Sequence, residues 1–121
     1  MKTILVVEDE FAIADMLHAV LEDEGYRVVL AGNGREGLAR LADTRADLVI
    51  CDVMMPILDG REMLRLMKND EATKTIPIIM MSAAESFSLN GDGGLVPFLN
   101  KPFTLDDLLE IVEAAIGKAE P

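Results

Sequence analysis

Four short, continuously apolar runs constrain the fold of this chain more than any other feature. They span residues 4–7, 28–31, 48–51 and 78–81 and consist almost entirely of Val, Ile, Leu and Met. A strand that is apolar on both faces is expected where helices cover both sides of a parallel sheet, whereas a half-exposed strand alternates. Helical patterns separate the runs, so the sequence predicts successive βα units.

A fifth, weaker run covers residues 96–99 and includes Pro97. Proline has no N–H to donate to a strand ladder, so this run fits only a strand at the edge of a sheet. The sequence therefore predicts an α/β fold built on a doubly wound, five-stranded parallel sheet.

Amphipathic patterns fill the gaps between the apolar runs. Two stripes repeat at helical spacing: Ile13, Met16, Leu17, Val20 and Leu21, and then Leu105, Leu108, Leu109, Val112 and Ile116. Three helix starts carry an N-cap residue with an acid three positions later: Asn33 with Glu36, Asp59 with Glu62, and Thr104 with Asp107.

The pattern fails between the fourth and fifth strands. Residues 84–94 hold three glycines and only two large apolar residues, Phe87 and Leu89, which lie two positions apart. Glycine is a poor helix former and this apolar spacing is not helical. We therefore expect a short or irregular fourth helix.

Charge and length limit the classes of partner. The 121 residues suit one domain, expected to cover residues 1–121 with no output domain. With 22 acidic and 11 basic residues the net charge is −11, which disfavours nucleic acid and favours a divalent cation or a basic protein. No apolar run is long enough for a signal peptide or a membrane span, so no membrane partner and a cytoplasmic location are expected.

Chemically useful side chains follow four of the five predicted strands. Glu8 and Asp9 end the first strand, Asp52 the third and Ser82 the fourth, while Lys101 follows the fifth. Taken singly, each would more often be a helix cap or a solvated surface residue. Ligands of doubly wound sheets, however, bind at the carboxyl ends of the strands, so these groups are expected to meet there.

The proximity of these side chains predicts a metal site and a type of reaction. Two carboxylates about 4 Å apart repel by roughly 4 kcal/mol at an effective dielectric near 20, which a bound cation would relieve. Mg²⁺ prefers oxygen ligands and fits such a site. A metal, a carboxylate able to act as a nucleophile, a hydroxyl and an ammonium group together are typical of phosphoryl transfer.

The segment from Asp52 to Gly60, Asp-Val-Met-Met-Pro-Ile-Leu-Asp-Gly, resembles the phosphoacceptor segment of bacterial response-regulator receiver domains. The acidic pair, Ser82-Ala83 and Lys101-Pro102-Phe103 match the same family, and the resemblance covers the whole chain. It implies a flavodoxin-like, CheY-like (βα)5 fold with strand order 2-1-3-4-5 and a cis Lys101–Pro102 peptide.

The resemblance also implies a role for each site residue. Asp52 would accept the phosphoryl group, while Ser82 and Lys101 would contact it. Mg²⁺ would be held by Asp52, by Asp9 directly, by Glu8 in the second sphere and by the backbone carbonyl of Met54. Ser82 and Phe98 would be the switch residues. Phe98 occupies the aromatic position where the family more often has Tyr, and Glu8 stands where Asp is commoner.

By the same resemblance, the phosphoryl donor would be a sensor histidine kinase or a phosphotransfer protein, and the output would pass to a downstream protein. The only reactions expected are phosphorylation and dephosphorylation of the domain's own aspartate, with no turnover of a free substrate. A receiver-like interaction module that is never phosphorylated is the alternative. A Mg²⁺-dependent phosphatase is disfavoured because Met54 replaces the second aspartate, and a flavin binder because no Ser/Thr-rich loop follows the first strand.

Overall fold

The computed structural model describes residues 1–83 and 97–119, which form one parallel sheet with helices on both faces. The strands are β1 Thr3–Val7, β2 Arg27–Ala31, β3 Leu48–Asp52, β4 Ile78–Ser82 and β5 Phe98–Asn100. They pair in the order β2-β1-β3-β4-β5, and every pair is parallel. The predicted fold and strand order are confirmed.

The helices within the described residues are α1 Phe11–Asp23, α2 Gly34–Asp43, α3 Gly60–Lys68 and α4 Leu105–Ile116. The three predicted caps are present, because the side chains of Asn33, Asp59 and Thr104 each accept a hydrogen bond from a backbone N–H three residues on. Helix α1 differs, since its N-cap residue Glu10 makes no side-chain cap hydrogen bond. The predicted irregular fourth helix lies outside the described residues.

The sheet separates two layers of apolar packing. Helices α2 and α3 cover one face with residues such as Leu41, Met63 and Met67. Helices α1 and α4 cover the other face with Leu17, Leu21, Leu108 and Val112. Each fully buried side chain of this size stabilises the fold by about 1.5–3 kcal/mol, so the two layers are the main source of stability.

Two residues assigned by periodicity to the buried stripes are exposed instead. Met16 has 40% of its surface exposed and Leu105 has 52%. Successive helical residues are rotated by about 100°, which turns Met16 away from the face that buries Leu17. Leu105 is the first residue of α4, before the turn that carries the buried Leu108. The stripes are therefore narrower than the sequence predicted.

Strand β5 is shifted relative to its prediction. The apolar run suggested residues 96–99, whereas the strand is Phe98–Asn100 and Pro97 precedes it. The carbonyl of Pro97 accepts a hydrogen bond of 3.0 Å from the backbone N–H of Met80. The proline thus serves as an acceptor beside the edge strand, as the lack of an N–H requires. In the described part of the chain, no helix is long and apolar enough to span a membrane.

Candidate functional site

The register of the two central strands brings the acidic residues together. Val7 of β1 lies opposite Cys51 of β3, so Glu8 and Asp52 are the next residues on adjacent strands. With Asp9, they place three carboxylate oxygens within 4.8 Å of one another. The predicted proximity of these carboxylates at the carboxyl edge of the sheet is confirmed.

Lys101 joins this cluster from the far end of the chain. Its Nζ lies 2.6 Å from Glu8 Oε1 and 3.0 Å from Asp52 Oδ2, and it donates a hydrogen bond to each. The Lys101 backbone N–H also donates to the carbonyl of Ser82, at 2.9 Å, and the peptide to Pro102 is cis, as the resemblance implied. The lysine side chain is 13% exposed and that of Glu8 not at all, so this is a buried ionic network.

The electrostatics of Glu8 show how crowded the carboxylates are. Burial, together with a hydrogen bond to Asp52, raises the pKa of Glu8 from 4.5 to about 7, against the opposing effect of Lys101. For Lys101, burial lowers the pKa, but the hydrogen bonds to Glu8 and Asp52 outweigh it and leave the pKa raised. The lysine therefore carries its charge, while the glutamate is poised to hold or release a proton near neutral pH.

Glu8 and Asp9 are adjacent in the sequence but differ in solvent exposure. Glu8 is 3% exposed, whereas Asp9 is exposed to solvent. The backbone N–H of Asp9 donates to Glu8 Oε2 at 3.0 Å, which fixes the glutamate carboxylate from a second side. In this cluster the side chains of Glu8 and Asp52 are therefore buried, and the carboxylate of Asp9 is accessible to solvent. Sequence reasoning missed the depth of Glu8 and its direct bond to Lys101.

The loop from β3 to α3 is packed tightly beside Asp52. A Cβ on Gly60 would collide with the carbonyl oxygen of Asp52, so α3 can begin this close to the strand only with glycine there. Within the loop, Met54 and Ile57 expose 73% and 72% of their surfaces. Ile57 has a φ of 72°, a left-handed conformation that is strained for a β-branched residue. No pattern in the sequence indicated this conformation.

The two predicted switch residues lie on the neighbouring strands of the same sheet. Ser82 is the last residue of β4 and is 2% exposed. Phe98 opens β5 and is half-buried against the layer of α2 and α3. Cys51 is a buried part of the apolar packing, and burial raises the pKa of its thiol well above the ordinary range.

Comparison with known proteins defines the class to which this fold and site belong. The sequence model of the response regulator receiver domain matches residues 4–113. Response regulator MprA of Mycolicibacterium vanbaalenii is 39% identical over 121 residues, which cover 98% of this chain and 52% of MprA. The chain thus spans about half the length of this relative.

Solved structures agree with the sequence match. Chemotaxis protein CheY4 of Vibrio cholerae has a TM-score of 0.88 and 33% identity, over 96% of this chain and 99% of CheY4. Response regulator TrrA of Thermotoga maritima, solved in complex with Mg²⁺-BeF, has a TM-score of 0.87 and 32% identity, over 96% of this chain and 100% of TrrA. The chain belongs to the response regulator receiver domain family, whose members act in two-component signalling.

Proposed function

We propose that this domain accepts a phosphoryl group on Asp52 from a phosphohistidine of a sensor histidine kinase or a phosphotransfer protein. The observation that carries the proposal is the hydrogen bond from Lys101 Nζ to Asp52 Oδ2 inside a cluster of three carboxylates. A cation already directed at one carboxylate oxygen can neutralise part of the charge that a transferred phosphoryl group brings.

The residues present fit a magnesium ion. The donor set is made only of oxygens, as Mg²⁺ prefers, and Asp9 keeps one carboxylate accessible while Asp52 and Glu8 line the interior. Asp52, Asp9 and the backbone carbonyl of Met54 would hold the ion, with Glu8 supporting them. When bound, Mg²⁺ would offset negative charge on the carboxylates and on the phosphoryl oxygens.

The chain's own groups account for the covalent step. An oxygen of the ionised Asp52 attacks phosphorus, the P–N bond of the donor breaks, and its electron pair returns to the imidazole. The product is an acyl phosphate on Asp52. Lys101 stabilises the negative charge that accumulates on the transferred group. Attack of water on phosphorus later breaks the new P–O bond and restores the carboxylate.

The conformational signal is proposed to begin at Lys101. In the unmodified protein its Nζ is shared between Glu8 and Asp52. A phosphoryl group would compete for this cation and for the Ser82 hydroxyl, and would draw both toward Asp52. Phe98, directly across the register from Met80 on β4, would then repack against the strand.

Intact mass spectrometry after treatment with acetyl phosphate and Mg²⁺ tests the chemistry. We expect the mass of one phosphoryl group to be added, and we expect Asp52→Asn to abolish the addition. The matched control is Asp43→Asn, which removes an exposed aspartate from the end of α2 and should be phosphorylated like the wild type. Absence of an adduct in the folded wild-type protein would favour the alternative, an interaction module that signals without phosphorylation.

Lys101→Ala tests the signal separately from the chemistry. We expect this variant to stay folded and to bind Mg²⁺, but to lose the response of Phe98 to a beryllofluoride mimic in NMR spectra. The reason is that bound Mg²⁺ would offset the charges of Glu8 and Asp52 that Lys101 neutralises in the unmodified protein, whereas the attraction between a phosphoryl-like anion and the lysine would be lost. Wild-type shifts at Phe98 in the mutant would contradict this role.

A further inference from the structure

The loop between β3 and α3 is bonded to the start of a different helix, α2. The backbone N–H of Gly34, the first residue of α2, donates a hydrogen bond of 3.1 Å to the carbonyl of Leu58 in that loop. The first N–H groups of a helix have no acceptor within the helix itself. The bond to Leu58 therefore gives this N–H an acceptor and joins the two segments.

The contact leaves no space for a side chain at residue 34. Gly34 is buried, and a Cβ there would collide with the carbonyl oxygen of Leu58 and lie 3.0 Å from the Cβ of Leu58. Because the colliding atom belongs to the backbone, the collision is relieved only if the loop or the helix moves. Alanine is a better helix former than glycine, so formation of α2 does not require glycine at this position, whereas the close approach of the loop does.

Two further backbone hydrogen bonds shape the loop. The N–H of Gly60 donates to the carbonyl of Val53 at 2.9 Å and closes the loop at its base. The N–H of Leu58 donates to the carbonyl of Pro56 at 2.8 Å, across Ile57 with its φ of 72°. A three-residue turn with positive φ at its centre is strained, and it persists only where the surrounding structure holds it. Leu58 is therefore the residue through which α2 holds the turn.

The same loop carries a group assigned to the metal under the proposed function, the backbone carbonyl of Met54. The Met54 side chain is 73% exposed, so its packing does little to fix the position of that carbonyl. The main chain of the loop is fixed at one end by β3 and at the other by α3. A displacement of Leu58 must therefore be absorbed by the residues between 53 and 58, which include Met54.

We propose that Gly34 is a positioning residue of the metal site, which acts by holding the loop from β3 to α3 in the conformation that binds Mg²⁺. The inference rests on the proposed function, because that function requires the ion. Gly34 itself contacts neither the ion nor the phosphoryl group and acts through Leu58. Groups that orient a metal ligand from outside the coordination sphere commonly change metal affinity by about 10- to 100-fold when they are altered.

Two glycine variants of the same helix separate positioning from packing. Gly34→Ala places a methyl group against the loop, whereas Gly37→Ala, one turn later, places it 3.0 Å from side-chain atoms of Val7 and Met63 in the apolar layer. NMR titration with Mg²⁺ measures the Kd of each variant. We expect Gly34→Ala to weaken Mg²⁺ binding by about tenfold or more, and Gly37→Ala to keep the wild-type Kd whatever its effect on stability in urea. Equal weakening in both variants would overturn the proposal.

Hydrogen exchange of the wild-type protein gives a test that does not require either variant to fold. Exchange of the Gly34 N–H reports on its bond to Leu58, and the Gly37 N–H, which donates to the carbonyl of Asn33 at 2.9 Å, is the internal control. Coupling between two sites is reciprocal, so Mg²⁺ should also stabilise the bond from Gly34. We expect Mg²⁺ to slow exchange at Gly34 by about fivefold more than at Gly37. Equal slowing at both residues would contradict the coupling.

Spectra in EDTA separate this inference from the proposed function. Without metal, Gly34→Ala should shift the amide signals of Met54 and Ile57, and Gly37→Ala should leave them at their wild-type positions. Unshifted loop signals in Gly34→Ala, or Mg²⁺ binding as tight as that of the wild type, would overturn the role of Gly34 alone. A folded wild-type protein that binds no Mg²⁺ would contradict the metal site of the proposed function and, with it, this role.

Discussion

Strands β1 and β3 change character within one or two residues at their carboxyl ends. In the interior of the sheet, from Ile4 to Val7 and from Leu48 to Ile50, every side chain is apolar and has no exposed surface. Glu8 and Asp52 follow at the carboxyl edge, are nearly as buried, and carry or can carry charge. The interior stabilises the fold through apolar packing alone. At the edge, carboxylates that repel one another lie close together, and Lys101 or a bound cation must offset their repulsion.

Removing atoms from the interior should have the largest effect. We expect Ile50→Ala to lower the free energy of unfolding by about 2–5 kcal/mol, because the side chain has no exposed surface and leaves a cavity. Urea denaturation measures the change. The control is Met16→Ala on the surface, expected to change stability by no more than about 0.5 kcal/mol. A similar decrease in the free energy of unfolding of both variants would contradict the distinction between interior and surface.

Metal-free stability should depend on pH through Glu8 at the edge. The pKa of Glu8 is raised in the folded protein to about 7. Between pH 4.5 and 7 the Glu8 carboxyl is therefore mostly ionised in the unfolded chain but mostly protonated in the folded protein. The contribution of Glu8 to stability is therefore largest below this window and is lost as pH rises through it, by about 3 kcal/mol, because each unit of pKa shift corresponds to about 1.4 kcal/mol.

Thermal unfolding in EDTA across this pH range checks the Glu8 prediction. Glu8→Gln should flatten the dependence, and Glu36→Gln, which removes an exposed glutamate on α2, should leave it as in the wild type. Stability that rises from pH 4.5 to 7 would contradict the assigned sign.

Asp52→Asn should stabilise the metal-free protein. The substitution removes one of the repelling charges and leaves Lys101 paired with Glu8, so we expect a gain of about 1 kcal/mol, a few degrees in Tm. It should also blunt the stabilisation of the protein by Mg²⁺. Scanning calorimetry with and without Mg²⁺ measures both. If Mg²⁺ raises the Tm of the wild type and of Asp9→Asn equally, the ion binds elsewhere.

Ile57→Asn should have the smallest effect. Asn tolerates the left-handed conformation better than a β-branched residue, so we expect a gain of roughly 0.5–1 kcal/mol. Ile57→Ala is the matched control, because it shortens the side chain but keeps a Cβ in the strained conformation. A Tm for the Asn variant at or below that of the Ala variant would show that the loop is not strained at this residue.

Local patterns in the sequence determined much of this structure. Continuous apolar runs marked four strands to within a residue, and three N-cap residues marked the starts of α2, α3 and α4. Those signals work because burial on both faces and capping are decided by residues close together in the chain. The start of α1 had no such signal, since Glu10 does not cap it. The ends of the predicted strands pointed to Glu8, Asp9, Asp52, Ser82 and Lys101. The order of strands, the role of each site residue and the assignments of Met54 and Phe98 came from the family resemblance.

Only the tertiary structure decided how the site is assembled. The bond from Lys101 to Glu8 joins residues 93 positions apart, and that to Asp52 joins residues 49 apart. Neither the burial of Glu8 and its raised pKa nor the exposure of Met16 and Leu105 can be derived from local periodicity. A side chain's pattern fixes which face of its element it lies on, but its solvent exposure and charge state depend on what other elements pack against it.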